Sequence, residues 1–488
     1  MTDAAHGSEP DPRDPLGLRT DAPLLDGWLR ATADVAAGRR FPFTVPGHHQ
    51  REDLVGQVIR GDHPLYGGVA TIKDTPALLA EAQARAAALW GADWCRFSVA
   101  GSTHGNQALA LGVGRPGQDV VVSRTLHRSL LLGLVLAGLN PVWVRPEVDP
   151  GTGLPTSVPV PAIEAALAAH PDACGVFLGD PSYVGTVGDL AGQAGAAHAA
   201  GVPLVVDAAW AAHFGFHPAL PAHALTAGAD AMVVSAHKAL PAYTQAAIVF
   251  ARIGLLDADR LERAFEATHT TSPSGTIAAS IDAARALLGR HGHDLCARLL
   301  DVVTTARARL TQLPGLRVLA GPGVDPSKLV VLLAGTGAHG HAVEQDLIAA
   351  GSAVEMADRD TIVAMVTLAD DHHHLTRFCD LLTASVQRHR SAPRPVVAAA
   401  AWTVEPEVAL PPRQAFFARH LTLPAEQAVG RISAELIAPY PPGIPVLAPG
   451  ERITRDAVDL LRSAAADGGR IAYAADPSLA SFQVVDQD

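Results

Sequence analysis

The chain is poor in lysine. Of 488 residues, 37 are lysine or arginine, and lysine stands only at Lys73, Lys238 and Lys328. Nearly every cationic position has gone to arginine, which keeps its proton at any working pH, whereas lysine can release its proton and offer a free amine. A lysine kept in such a background points to amine chemistry, and the main reaction of a free amine is condensation with a carbonyl. Cysteine is scarce as well. Cys95, Cys174, Cys296 and Cys379 lie far apart and form no CxxC pair. That argues against a disulfide framework or a structural zinc site and fits a reducing cytoplasm. There is no basic cluster and the net charge is -12, which argues against a nucleic-acid partner. No run of 18 uncharged apolar residues occurs, so no membrane span is expected. The polar, proline-rich start MTDAAHGSEPDPRDPLGLRTDAP has no apolar signal core. The composition, 48% hydrophobic and 18% charged, is that of a globular protein. Its length calls for two or three domains.

From about residue 75 onward, helical and strand signals alternate. Residues 76–90 form a helix with proline at its start. Val120–Val122, Val142–Val144, Gly175–Leu178 and Pro203–Val206 are short apolar runs, separated by helix-sized segments such as Pro161–His170 and Leu190–Ala200. Ala231–Val234 adds a strand that leads directly into Ser235-Ala-His-Lys238. This alternation is the pattern of a parallel α/β sheet covered by helices. A long helix is expected over about 277–312. Residues 328–335, 340–350 and 361–368 read as a β-α-β unit within a smaller α+β domain. The stretch 391–413 reads as a linker, and 414–488 contains PYPPGIPVLAPGE, which can be neither helix nor central strand.

Four segments stand at the carboxyl ends of expected strands, where open α/β sheets bind ligands. Gly101-Ser-Thr-His-Gly-Asn106 lies between Phe97-Ser-Val99 and a helix expected from near Gln107. Its glycine and the hydroxyls of Ser102 and Thr103 suit a phosphate, although such a loop is also an ordinary helix cap. His127, in Arg124-Thr-Leu-His127, could stack on an aromatic ligand or sit satisfied in its loop. Asp207 ends an apolar strand, where a charge needs a partner such as a protonated ring nitrogen; a surface loop would serve it equally. In the fourth segment Ser235 and His237 precede Lys238. Together the four offer a phosphate cradle, a stacking imidazole, a carboxylate for a ring nitrogen and an amine, which is the set that pyridoxal 5'-phosphate requires. Lys238 would bond to the cofactor's aldehyde, Asp207 would keep its ring nitrogen protonated, and His127 and Ala209 would sandwich the ring.

The segments FTVPGH (43–48), GSTHGNQA (101–108), RTLHRS (124–129), PSYVG (181–185), VDAAWAAHFGFHPALP (206–221), SAHKALPAYTQ (235–245), TSPSGTIAASIDAAR (271–285) and PYPPGIPVLAPGE (439–451) occur in this order. In them the chain resembles the ornithine/lysine/arginine decarboxylase family, pyridoxal-phosphate enzymes of the aspartate-aminotransferase-like fold type I. The resemblance implies an α/β major domain with a mainly parallel seven-stranded sheet, a small α+β domain and a C-terminal domain. The expected boundaries are an arm at 1–40, a cofactor domain at 41–300, a small domain at 301–390, a linker at 391–413 and a C-terminal domain at 414–488. It also implies a homodimer with shared active sites, in which Thr271 and Ser272 reach the phosphate bound by the neighbouring subunit. The chain would be the short form, without the receiver-like domain of the larger members.

His49 in Gly47-His48-His49, His104, Asp180 and the Asp207-Ala-Ala-Trp210 segment depart from the family pattern and are expected to line or approach the substrate side. The implied reaction is α-decarboxylation of arginine, lysine or ornithine to an amine used in polyamine metabolism. A distal cation on the substrate needs a carboxylate; Asp62, Glu81, Asp180 and Glu355 are candidates, with Trp210 beside them. The rival readings are transamination or oxidative deamination of a basic amino acid, and an inactive scaffold. No convincing arginine lies within 361–368 to clamp an α-carboxylate, which favours decarboxylation, and retention of Lys238 and Asp207 disfavours a scaffold. Asp370-Asp371-His372-His373-His374 suggests a metal, but adjacent residues at a helix start are expected to point apart, so none is assigned.

Overall fold

The computed structural model describes residues 11–40, 43–71, 73–396, 405, 407–440 and 443–487. Its centre is a seven-stranded sheet built from β1 (Trp94–Ser98), β2 (Asp119–Ser123), β3 (Asn140–Val144), β4 (Val176–Gly179), β5 (Leu204–Asp207), β6 (Ala231–Ser235) and β7 (Ala247–Ala251), in the order β1-β7-β6-β5-β4-β2-β3. Strands β2 to β6 run parallel, and β7 is antiparallel to both of its neighbours. Val120–Val122, Val205–Val206 and Met232–Val234 are buried because helices cover both faces.

The helix over Gly101–Val113 starts six residues earlier than Gln107, so the Gly-Ser-Thr-His-Gly-Asn segment forms its first turns rather than a preceding loop. Gly105 allows this. A Cβ there would come within 2.6 Å of Val233 Cγ2, so only glycine lets the helix lie this close to β6.

Helix Gly275–Leu310 is capped by Ser274, whose Oγ accepts from Ile277 N at 3.3 Å. Its first half packs with the large sheet through Ile281 and Leu288, and its second half carries Val302, Ala306 and Leu310 into a separate core. The described part of the expected arm is folded: helix Pro23–Ala36 buries Leu24 and Leu29, and Leu24 N donates to the buried carboxylate of Asp282 at 2.9 Å.

The separate core belongs to a four-stranded sheet of β8 (Arg317–Val318), β9 (Leu329–Leu332), β10 (Met356–Ala357) and β11 (Thr361–Ala364), ordered β10-β11-β9-β8 and antiparallel throughout. The expected β-α-β unit is therefore not parallel. After helix Gly340–Ala349 the chain first lays down β10 and then turns back in a hairpin, so β11 meets β9 in the opposite direction.

In the last segment β12 (His420–Pro424) pairs with β15 (Ser481–Val485) and β13 (Ala438–Tyr440) with β14 (Arg470–Ala472). Pro439 lies in a two-stranded ribbon, which does not need its missing N–H. Residues 397–404 and 406 of the expected linker, 441–442 of the proline-rich loop and the first ten residues lie outside the described residues. A buried Arg124–Glu451 pair ties the last segment to the end of β2, and Arg124 Nη2 also donates to Val446 O at 3.1 Å. Among the described residues no helix is long and apolar enough to cross a membrane.

Candidate active site

The carboxyl ends of β5 and β6 meet the first turn of helix Gly101–Val113. Ser235 closes β6, and its Oγ donates to Ser102 Oγ at 2.9 Å. Two of the hydroxyls expected at a phosphate are thus paired at a helix N-terminus, where backbone N–H groups and the helix dipole favour an anion. Thr103 is exposed on the same turn. His237 Nδ1 donates to Ala246 O at 2.9 Å, which fixes that ring.

Lys238 follows on the short helix Ala236–Ala239. Its Nζ lies 3.9 Å from the centroid of the Trp210 ring. Burial pushes its pKa down, opposed by the charges of Asp207 and Glu355.

Asp207 is held from two sides. Asn106 Nδ2 donates to its Oδ2 at 2.7 Å, and Ala209 N donates to its Oδ1 at 3.2 Å. Asn106 also donates to Ser129 Oγ at 2.9 Å, and that hydroxyl meets His127 Nδ1 at 2.8 Å. Because Nδ1 also accepts from Ser129 N at 3.2 Å, the neutral ring carries its proton on Nε2. Burial pushes the pKa of His127 down, which keeps the ring neutral. One network thus joins Asp207, Asn106, Ser129 and His127. Sequence reading gave Asn106 no role, since its partners lie 23 and 101 residues away.

Ala209 is buried beside Trp210. Tyr183 meets the Trp210 ring edge-on at 5.3 Å and donates its hydroxyl to Glu355 Oε1 at 2.9 Å. Of the four candidate acids, Glu355 thus joins the cluster. Asp62 instead faces His48 Nε2 at 3.2 Å on an exposed segment, and Glu81 pairs with Arg85 at 2.6 Å on the surface of its own helix. Asp180 is buried and accepts from Gly188 N at 2.6 Å; burial raises its pKa to about 7. Its carboxyl group serves the turn after β4.

His104 turns away from the substrate side, against expectation. It is buried between β1 and the helix Ala258–Thr268, with Nδ1 at 2.8 Å from Ser98 Oγ and Nε2 at 3.0 Å from Phe265 O. A helix directs successive side chains about 100° apart, so the residue two after Ser102 points back into the core. His48 and His49 lie on the segment near Asp62, outside the Lys238 cluster of this chain. Thr271 and Ser272 are exposed between two helices.

Lys328, which sequence reading left unassigned, also enters the cluster: its Nζ lies 3.7 Å from the Trp210 centroid. At the start of helix His372–Arg388, ligand atoms of Asp371, His373 and His374 lie within 4.8 Å of one another. The expectation that they point apart is not met. Asp371 is the N-cap with extended backbone, so its carboxylate folds over the first turn and accepts from His374 N at 2.9 Å.

Residues 69–346 match the family described as Orn/Lys/Arg decarboxylase, major domain, and residues 396–469 match its C-terminal domain. The chain is 32% identical over 468 residues to an arginine decarboxylase of Halalkalibacterium halodurans, spanning 92% of this chain and 94% of that one. Among solved structures, the Francisella novicida lysine decarboxylase LdcF superposes with a TM-score of 0.77 at 18% identity, over 95% of this chain and 81% of that one. A structure described as SPT with PLP superposes with a TM-score of 0.54 at 15% identity, over 76% and 85% of the two chains.

The residues present suit pyridoxal phosphate on their own geometry. A half-buried amine with a lowered pKa, a carboxylate oriented by two N–H donors and paired hydroxyls at a helix N-terminus converge on one end of the sheet.

Proposed function

The chain belongs to the Orn/Lys/Arg decarboxylase family, a pyridoxal-phosphate enzyme that decarboxylates basic amino acids, and from that membership we propose that its substrate is arginine, lysine or ornithine and that Lys238 carries the cofactor. The observation that supports this most is the convergence of the half-buried Lys238 amine, just after β6, with the Asp207 carboxylate at the end of adjacent β5. When bound, the cofactor supplies an electron sink for the pair left behind when CO2 departs.

The chain's own residues do the rest. Asp207, fixed by Asn106 and Ala209 N, holds a proton on the ring nitrogen of the cofactor. Ser102, Thr103, Ser235 and His237 bind its phosphate with the helix N-terminus, and His127 and Ala209 cover the two faces of the ring. Thr271 and Ser272 complete the phosphate site from a second subunit, which makes the homodimer the working unit. The burial that lowers the pKa of the Lys238 amine favours its proton-free form, the form that can bond to the cofactor and later accept and return a proton at Nζ. Glu355, oriented by the Tyr183 hydroxyl, receives the distal cation of the substrate, and the rings of Tyr183 and Trp210 exclude water beside it. Orientation at Cα decides whether CO2 or a proton is lost. The product amine feeds polyamine metabolism in the cytoplasm.

The test is incubation of the cofactor-loaded enzyme with arginine, lysine and ornithine in turn. One of them should yield CO2 and its amine in equal amounts. Keto acid with ammonia or peroxide would identify a transaminase or oxidative deaminase instead, and no turnover of any of the three would leave the scaffold reading.

A further inference from the structure

The scarcity that singles out Lys238 applies equally to Lys328. Lys328 stands immediately before β9, with its N–H donating to Asp325 O at 3.3 Å and its carbonyl accepting from Arg307 Nη2 at 2.7 Å. Its side chain then crosses to the large sheet. It passes Gly185, where a Cβ would lie 3.0 Å from Lys328 Cδ, so the glycine in the PSYVG segment leaves room for the stem. The residue is only 7% exposed, and Nζ has no hydrogen-bond partner among the described residues. That nitrogen lies 3.7 Å from the centroid of the Trp210 indole, the same ring that Lys238 Nζ approaches at 3.9 Å.

A buried amine without an acceptor is costly, and a packed core does not keep one without use. Its charged neighbours are Lys238, Asp325 and Glu355. Neither carboxylate hydrogen-bonds to this amine: Asp325 Oδ1 accepts from Ser327 N and Oγ at 2.8 and 2.6 Å, and Glu355 Oε1 accepts from Tyr183 at 2.9 Å. A basic amino acid brings a single anion, its α-carboxylate, and brings it to the neighbourhood of Lys238. We propose that Lys328 Nζ binds the substrate's α-carboxylate from the small-sheet side and sets its direction at Cα.

This rests on the reading of the site given above and goes one step further, because it supplies the carboxylate contact for which the 361–368 strand has no arginine. A lone amine makes a one-point contact where a guanidinium would clamp two oxygens. Burial and the nearby Lys238 lower the pKa of this amine to about 7, which further loosens its grip. A loosely held carboxylate suits a reaction in which that group must leave. When the bond from Cα to the carboxylate breaks, the electron pair stays with Cα and CO2 departs uncharged, so the ion pair dissolves with the reaction.

The experiment compares wild type with Lys328→Met, both loaded with cofactor. Binding of L-arginine and L-lysine is set against that of agmatine and cadaverine, the same molecules without the carboxylate. The readout is the ligand-induced change in the cofactor's visible absorbance. In the variant, affinity for the amino acids should fall about 10- to 100-fold, the value of one charge-assisted contact, while affinity for the amines stays within about twofold. The melting temperature should hold or rise, since a buried unpaired amine has been removed. An equal loss for acids and amines, or no loss for either, overturns the proposal. If the methionine variant does not load cofactor, Lys328→Gln takes its place with the same two outcomes. Because binding is read directly, the result stands even if the wild type releases no CO2, an outcome that would sink the decarboxylase reading alone.

Discussion

Asp207→Asn should still bind pyridoxal phosphate but lose catalysis. The amide keeps the shape that Asn106 and Ala209 N hold, yet it carries no charge to keep a ring nitrogen protonated. Turnover should fall on the order of 100-fold or more, the scale of losing one preorganised electrostatic contact. Steady-state kinetics beside a cofactor titration separates the two effects, and near-normal turnover removes Asp207 from this role. A second residue prediction concerns Asp180. Its carboxyl has a folded pKa of about 7, raised by burial above the unfolded value of 3.8. The fold therefore favours the protonated form, so this group's contribution is full below pH 3.8 and is lost as pH rises towards 7. Asp180→Asn removes that loss while still accepting from Gly188 N. The variant's melting temperature should gain on wild type between pH 4 and 7; a constant difference across that range would contradict it. At this scale the sequence revealed chemical type better than direction. Asp207 stood out because it ends an apolar strand, and Lys238 because it is one of only three lysines and follows one. His104 was misread because a motif does not say which side of a helix turn faces the core.

Helix Gly101–Val113 brings Ser102 to Ser235 only because Gly105 lets it lie against β6. Gly105→Ala should lift that helix, destabilising the protein by about 1–3 kcal/mol and weakening cofactor affinity in step. Denaturant unfolding and a cofactor titration on one preparation check both; an unchanged affinity would uncouple the helix from the site. The parallel strands were readable as short apolar runs because helices bury both of their faces. The antiparallel β7 and the reversal at β10 were not. Strand direction depends on where the chain turns back, and an apolar run reads the same in either direction. The place of Lys328 was not legible for a related reason: 118 residues separate it from Trp210, the ring that its amine meets.

The last segment is fastened to the large sheet through Arg124 and Glu451, whose side chains are 4% and 2% exposed. Removing one partner leaves the other charge buried, so Glu451→Ala should destabilise the protein by about 3–5 kcal/mol, measured by denaturant unfolding. A change within about 0.5 kcal/mol, the range of a surface substitution, would show the pair to be dispensable. The proposed dimer has its own test. Mixing Lys238→Ala subunits with subunits carrying Thr271→Ala and Ser272→Ala should restore activity in about a quarter of the sites, because half of the mixed dimers' sites combine two intact halves. A fully active monomer would contradict the shared site. The central claim is that Lys238 is the cofactor lysine, and the three-lysine composition makes it directly readable. Borohydride reduction of the cofactor-loaded protein followed by peptide mass mapping has only three lysine side chains to distinguish. The account predicts the pyridoxyl mass on the peptide containing Lys238; its appearance on Lys73 or Lys328 instead would contradict it.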